Sequence, residues 1–211
     1  MAATTFGITY DYLCPFARNA NEHVVAGLRH GADWDVTFVP LSLTQLKAGE
    51  TGGPRWDGPG ALRRSGVLAL AVAEVVRTRV PDRFLDVHLE LFALRHDRGE
   101  DLRDPSTIAE ALGRAGVDTA VVDSASDGLE VLRSAHEDLV SREVWGVPTL
   151  LGARRAVFVR LLDRPSTDGG AGGSADGSAD GSVSVGRIER VLGLLDGEPM
   201  LHEFKQVDLP M

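Results

Sequence analysis

The alternation of side chains in Thr5 to Tyr10 (TFGITY) reads as a short strand, and a turn at Leu13-Cys14-Pro15 then meets a helical pattern. Phe16, Ala20, Val24 and Leu28 repeat every four residues while Arg18, Asn19, Glu22 and Arg29 fall elsewhere, as an amphipathic helix requires. Pro15 suits the first helical turn, where no amide donor is missed, and Gly31 is placed to end the helix. Trp34 to Leu41 (WDVTFVPL) alternates as a second strand, which Pro40 sets near a sheet edge or a strand end. The opening pattern is therefore βαβ.

Gly49 to Gly60 (GETGGPRWDGPG), dense in Gly and Pro, reads as a loop leaving that unit. The pattern then turns helical: Val67 to Thr78, Asp82 to His96 after Pro81, Ser106 to Ala115 after Pro105, and Thr119 to Arg142 with a break expected near Gly128. Phe84, Leu85, Leu89 and Phe92 are adequately explained as core. Beyond Trp145-Gly146, Val147 to Leu151 and Ala156 to Leu162 resemble adjacent strands joined by a tight turn at Gly152. Ser166 to Ser184 is low in complexity and reads as a flexible loop, and a final helix is expected from Val185 to Leu195, capped by Gly197. The sum is βαβ, helices, ββα. It divides into 1–57 with 143–211, holding the flexible loop 166–184, and a helical insertion over 58–142.

The 211 residues are enough for one large domain or two small ones, and 43% hydrophobic with 25% charged residues is a globular balance. A net charge of -9 repels nucleic-acid phosphates and anionic lipid alike, so neither is an expected partner. Met1 to Gly7 lacks the basic flank and apolar core of a secretory signal, which leads to the expectation of a cytoplasmic protein. The richest apolar stretch, Gly66 to Val76, carries Glu74 and is followed by Arg77; it belongs in a core, not a bilayer. With one cysteine, Cys14, an intrachain disulfide, a multi-cysteine zinc site and a self-contained dithiol cycle are all excluded.

Cys14 stands at a helix start, where free amides and the positive end of the helix dipole favour the thiolate, so a reactive thiol is expected. The bland alternative is a small buried hydrophobe. Val147-Pro148, ahead of a strand in the same expected sheet, is where a cis proline would bare the Val147 backbone to an extended thiol-bearing ligand. Together, Asp11-Tyr12-Leu13-Cys14-Pro15-Phe16-Ala17, the helical insertion and Trp145-Gly146-Val147-Pro148-Thr149-Leu150 resemble the DsbA family of thioredoxin-fold proteins over nearly the whole chain. The resemblance is to the branch holding mycothiol-dependent nitroreductases and, more distantly, kappa-class glutathione transferases and hydroxychromene-carboxylate isomerases.

That resemblance implies an α/β thioredoxin fold with an all-helical domain between its βαβ and ββα halves. It also implies a nucleophilic Cys14, a cis Pro148, and thiol or substrate contacts from Pro15, Phe16 and Val147. One departure is decisive: the family's redox members have Cys-X-X-Cys, and here Ala17 replaces the second thiol. The implied activity is a monothiol thiol-disulfide oxidoreductase or thiol transferase. A mixed disulfide on Cys14 would be released by a second thiol, either mycothiol or glutathione, with no metal. The rivals are a decayed scaffold that only binds, and a transferase or isomerase using a bound thiol cofactor. A homodimer stays open.

Trp56 and Arg55 in the Gly/Pro loop suit the cover of a small-ligand cleft, although a tryptophan there also packs well against its own domain. His23 lies too far along its helix to pair with Cys14, and His88 and His96 are read as surface residues of the insertion ahead of any acid or ligand role. Asp11 is expected to face outward or be hydrogen-bonded, since an acid beside the sulfur would oppose the thiolate; Tyr12 is a candidate pocket wall. Asn19 and Asn21 are given solvent roles, and Asp176 and Asp180 fall in linker repeats too short for calcium sites.

Overall fold

A computed structural model describes residues 3–50, 56, 60–161, 163–165 and 181–197. Four strands make one sheet in the order β2-β1-β3-β4. β1 (Thr4–Tyr10) and β2 (Trp34–Pro40) are parallel and in continuous register, from Thr4 opposite Trp34 to Tyr10 opposite Pro40. Parallel pairing needs a crossover, which α1 (Pro15–Arg29) supplies. β3 (Thr149–Leu151) runs antiparallel to β1 with Leu150 opposite Ile8, and β4 (Ala156–Phe158) runs antiparallel to β3. The central place of β1 explains why Phe6 to Tyr10 are all buried, whereas β2 at the edge keeps Asp35 and Thr37 exposed. Pro40 ends that edge strand, where the ladder loses no donor.

α2 (Leu43–Glu50) was not anticipated from the sequence. Two caps start it: the Leu43 amide donates to Asp11 Oδ2 at 2.7 Å and the Gln45 amide to Ser42 Oγ at 3.3 Å. The insertion follows as α3 (Val67–Arg79), α4 (Phe84–His96) after a 3-10 turn at Pro81–Arg83, α5 (Pro105–Arg114) and α6 (Ala125–Ser141). Every residue from Val67 to Val76 is buried, Glu74 included, because its carboxylate accepts from Tyr10 Oη at 2.9 Å and from Arg77 Nε at 2.9 Å. The break expected at Gly128 falls instead at Ser124, where a 3-10 stretch (Thr119–Ser124) hands over to α6. Gly128 sits inside the helix for a packing reason: a Cβ there would collide with the Ala71 carbonyl of α3.

α7 (Gly181–Gly197) packs on α1 and begins four residues before the expected Val185. Residues 181–184 are therefore helix, not part of a flexible loop, and Ser184 is buried with its Oγ 2.9 Å from His23 Nδ1. The remaining loop residues, with Asp176 and Asp180, and Arg55 lie outside the described residues. α1 is covered by its neighbours more completely than a surface helix, which corrects the solvent roles given to its asparagines. Asn19 Nδ2 donates to the Leu161 carbonyl at 2.8 Å, and Asn21 donates to the Ala17 carbonyl and faces His88 Nε2 at 3.1 Å. The fold is α/β and thioredoxin-like with a helical insertion.

Candidate active site

Cys14 is the N-cap of α1, with extended backbone (φ -97°, ψ 117°), and Pro15 occupies the first helical position. Asp11 shapes the turn that delivers it. The Cys14 amide donates to the Asp11 carbonyl at 3.0 Å, and the Leu13 amide donates to Asp11 Oδ1 at 2.9 Å. With its second oxygen on the start of α2, this carboxylate is wholly buried and ties three segments together. It is hydrogen-bonded, not outward-facing, and burial pushes its carboxyl up to about 6 against the pull of the two amides.

Facing the cysteine, the Val147–Pro148 peptide bond is cis. The loop is held from β1: the Thr149 amide donates to Thr9 Oγ1 at 2.8 Å, Thr9 Oγ1 donates to the Gly146 carbonyl at 3.3 Å, and Thr149 Oγ1 donates to the same carbonyl at 2.8 Å. Across the gap the Cys14 thiol donates to the Val147 carbonyl at 3.5 Å while its sulfur accepts from the Ala17 amide at 3.4 Å. Elements over 130 residues apart in the chain thus converge on one sulfur.

The electrostatics correct the expectation of an acidified thiol. Cys14 is only 9% exposed, and burial raises its pKa above the ordinary value; the Ala17 and Phe16 amides pull down, Asp11 pushes up again and Arg160 pulls down. Burial outweighs the helix start because desolvation penalises the thiolate as a whole, whereas one amide at 3.4 Å returns only part of that cost. The Val147 carbonyl acts in the same direction, since it accepts from the neutral S–H and has nothing to offer an anion.

Pro15 is exposed, Phe16 is half-buried, and Val147 and Pro148 are buried. Trp56 is 6% exposed and its ring meets His136 of α6 edge-on at 5.1 Å, which fits the reading of a tryptophan packed against its own domain. Tyr12 is no pocket wall but core, with its hydroxyl 3.0 Å from His88 Nδ1. His88 is not a surface residue either: fully buried between Tyr12 and Asn21, it has its pKa pushed down to about 3 by desolvation. His96 is half-buried, its Nε2 3.0 Å from the Tyr12 carbonyl. His23 Nδ1 lies 2.9 Å from Ser184 Oγ of α7.

Sequence reasoning missed two residues here. Thr9, a hydroxyl inside an otherwise apolar central strand, latches the cis loop. Arg160, a cation in the run Ala156 to Leu162, sets its guanidinium over the rings of Phe16 and Phe158, at 5.4 and 5.5 Å from their centroids. Both signals were polar residues interrupting an apolar run. Beside the turn, a cavity of about 350 Å³ is lined by Leu13, Ser65, Arg95, Asp101 and Arg103 among others. Among the described residues no cluster of three His, Cys, Asp or Glu could hold a metal ion, and no helix is long and apolar enough to cross a membrane.

No protein-family model and no curated protein matches the chain. Solved structures do. The cytosolic disulfide reductase DsbM from Pseudomonas aeruginosa, solved with GSH, superimposes with a TM-score of 0.57 at 14% identity, over 89% of this chain and 98% of that one. The catalytic domain of Proteus mirabilis ScsC gives 0.56 at 17% identity over 76% and 77%. A periplasmic thioredoxin-like protein from Salmonella enterica serovar Typhimurium gives 0.54 at 20% identity over 75% and 79%. At these identities the likeness is one of fold: the chain has the thioredoxin fold of DsbA-like proteins.

Proposed function

We propose that the protein is a monothiol thiol-disulfide oxidoreductase or thiol transferase that works through a mixed disulfide on Cys14. The observation that carries this is the 3.5 Å approach of Cys14 Sγ, at the N-cap of α1, to the Val147 carbonyl. The Cys14 thiolate attacks one sulfur of a disulfide R–S–S–R; a Cys14–S–S–R bond forms and RS⁻ leaves. With Ala17 in place of a second cysteine, a thiolate from solution attacks the R sulfur, and Cys14 departs as thiolate. R is the residue of a low-molecular-weight thiol, mycothiol or glutathione, and Pro15, Phe16, Val147 and Pro148 border it. Likeness to a disulfide reductase solved with GSH supports glutathione as the first thiol to try.

The raised thiol has a kinetic consequence. It leaves few thiolates at neutral pH and makes Cys14 a poor leaving group, so attack and release are both slow there and the mixed disulfide is best trapped at higher pH. Mass spectrometry after exposure to glutathione disulfide above neutral pH checks this: one glutathionyl group on the wild type and none on Cys14→Ser is expected, and no adduct on either overturns it. The buried sulfur also favours a second reading, a scaffold that binds a thiol compound without covalent chemistry. Equal glutathione binding by wild type and Cys14→Ser, with no adduct, selects that reading.

A further inference from the structure

Around Cys14 the surface is unusual for an acidic protein. Trp145 is 66% exposed and Phe158 50%, and both belong to the segments that bracket the cis loop. Gly146 is packed against the Phe158 ring, and the Val159 amide donates to the Pro148 carbonyl at 3.1 Å, so the end of β4 is tied to the loop. From the other side Phe16, two residues past the cysteine, brings its ring under the same guanidinium that covers Phe158. Arg160 is exposed and, among the described residues, has rings as partners and no carboxylate. Many other arginines here are paired: Arg18, Arg29, Arg79 and Arg164 each hold an acid.

A guanidinium clamped by two rings keeps its donor edge free and loses little freedom when that edge is used. We infer that Arg160 is a specificity-determining residue that binds a carboxylate on the disulfide substrate, with Phe16, Phe158 and Trp145 receiving its apolar part. The inference rests on the reading of Cys14 as nucleophile and narrows its substrate class to anionic disulfides. The net charge of -9 works against such a substrate at long range, so its preference comes from contact at this one cation.

Two probe disulfides of opposite character test it: 5,5′-dithiobis(2-nitrobenzoate), with a carboxylate on each ring, and the neutral 2,2′-dithiodipyridine. Arg160→Gln is expected to slow reaction of Cys14 with the carboxylate probe about tenfold, the scale of one charge-assisted hydrogen bond. The neutral probe reports the loss of a cation near the sulfur and should slow by less than about threefold. Arg160→Lys, which keeps the charge but loses the planar fork, should fall between wild type and Gln with the carboxylate probe. An equal fall with both probes means that Arg160 acts only on the thiol's acidity, and no fall means that it acts on nothing; either overturns the inference and leaves Cys14 as nucleophile. Failure of the wild type to react with either probe, at a pH where free cysteine reacts, overturns the reading of Cys14 and this inference with it.

Discussion

At the scale of single residues, the sulfur of Cys14 is governed by a balance in which the helix start is outweighed. Two amides and the Arg160 charge favour the thiolate, while burial, the Asp11 carboxylate and the S–H bond to Val147 favour the thiol. The pH dependence of alkylation reads that balance directly. The rate of reaction with iodoacetamide should titrate with a midpoint above the ordinary thiol value of about 8.5. Because burial pushes the Asp11 carboxyl up only to about 6, it is charged in that range. Asp11→Asn should therefore move the midpoint down, by less than about one unit, through removal of a like charge. A midpoint unchanged in Asp11→Asn would show that the carboxylate acts on the turn's geometry alone. The sequence pointed to Cys14, Pro15 and Phe16 in one local motif and to Val147 and Pro148 in another, and the thiol lies 3.5 Å from the Val147 carbonyl. It did not give the sign of the thiol's shift, because burial is contributed by segments remote in the chain.

At the scale of elements, helix packing was legible where it depended on periodicity and obscure where it depended on a partner. Gly128 shows the difference: within its own helix it looks like a breaker, and only α3 explains it. Gly128→Ala should destabilise the protein by more than about 2 kcal/mol, because the added methyl meets backbone, which cannot rotate away. Gly193→Ala in α7, exposed and with no atom within 4 Å of the new methyl, should stabilise by about 0.5–1 kcal/mol through helix propensity. Urea denaturation of the two variants checks the opposite signs. The start of α7 was hidden for a related reason. Gly181 to Ser184 reads as linker by composition, yet Ser184 is fixed by His23 on α1, a bond across 161 positions. α2 went unseen because one of its caps, Asp11, lies 32 residues away.

At the scale of the molecule, the insertion shares buried polar bonds with β1, the turn after it and α1: Glu74 with Tyr10, His88 with Tyr12, and His88 with Asn21. Ion pairs extend the join at the surface, where Arg18 and Arg164 both hold Glu22 of α1 and Asp97 beyond α4. Acid should therefore loosen the two parts together, as one cooperative transition. His88 and Asp11 contribute to it with opposite signs. The folded pKa of His88 is pushed down to about 3, so the unfolded chain binds its proton first, and stability present above about pH 6.5 is lost as the pH falls toward 3. His23, His96 and His136 are also lowered and act in the same direction. Asp11, raised to about 6, binds its proton first in the folded state. Its effect is a gain as the pH falls from about 6 to 4. Between pH 7 and 5, His88 costs about 2 kcal/mol and Asp11 returns about 1 kcal/mol. Urea unfolding at those two pH values separates them: His88→Gln should shrink the acid-induced loss and Asp11→Asn should enlarge it. If both variants shift the loss in the same direction, their effects on the packing of the join, and not their protons, set the acid stability of this fold.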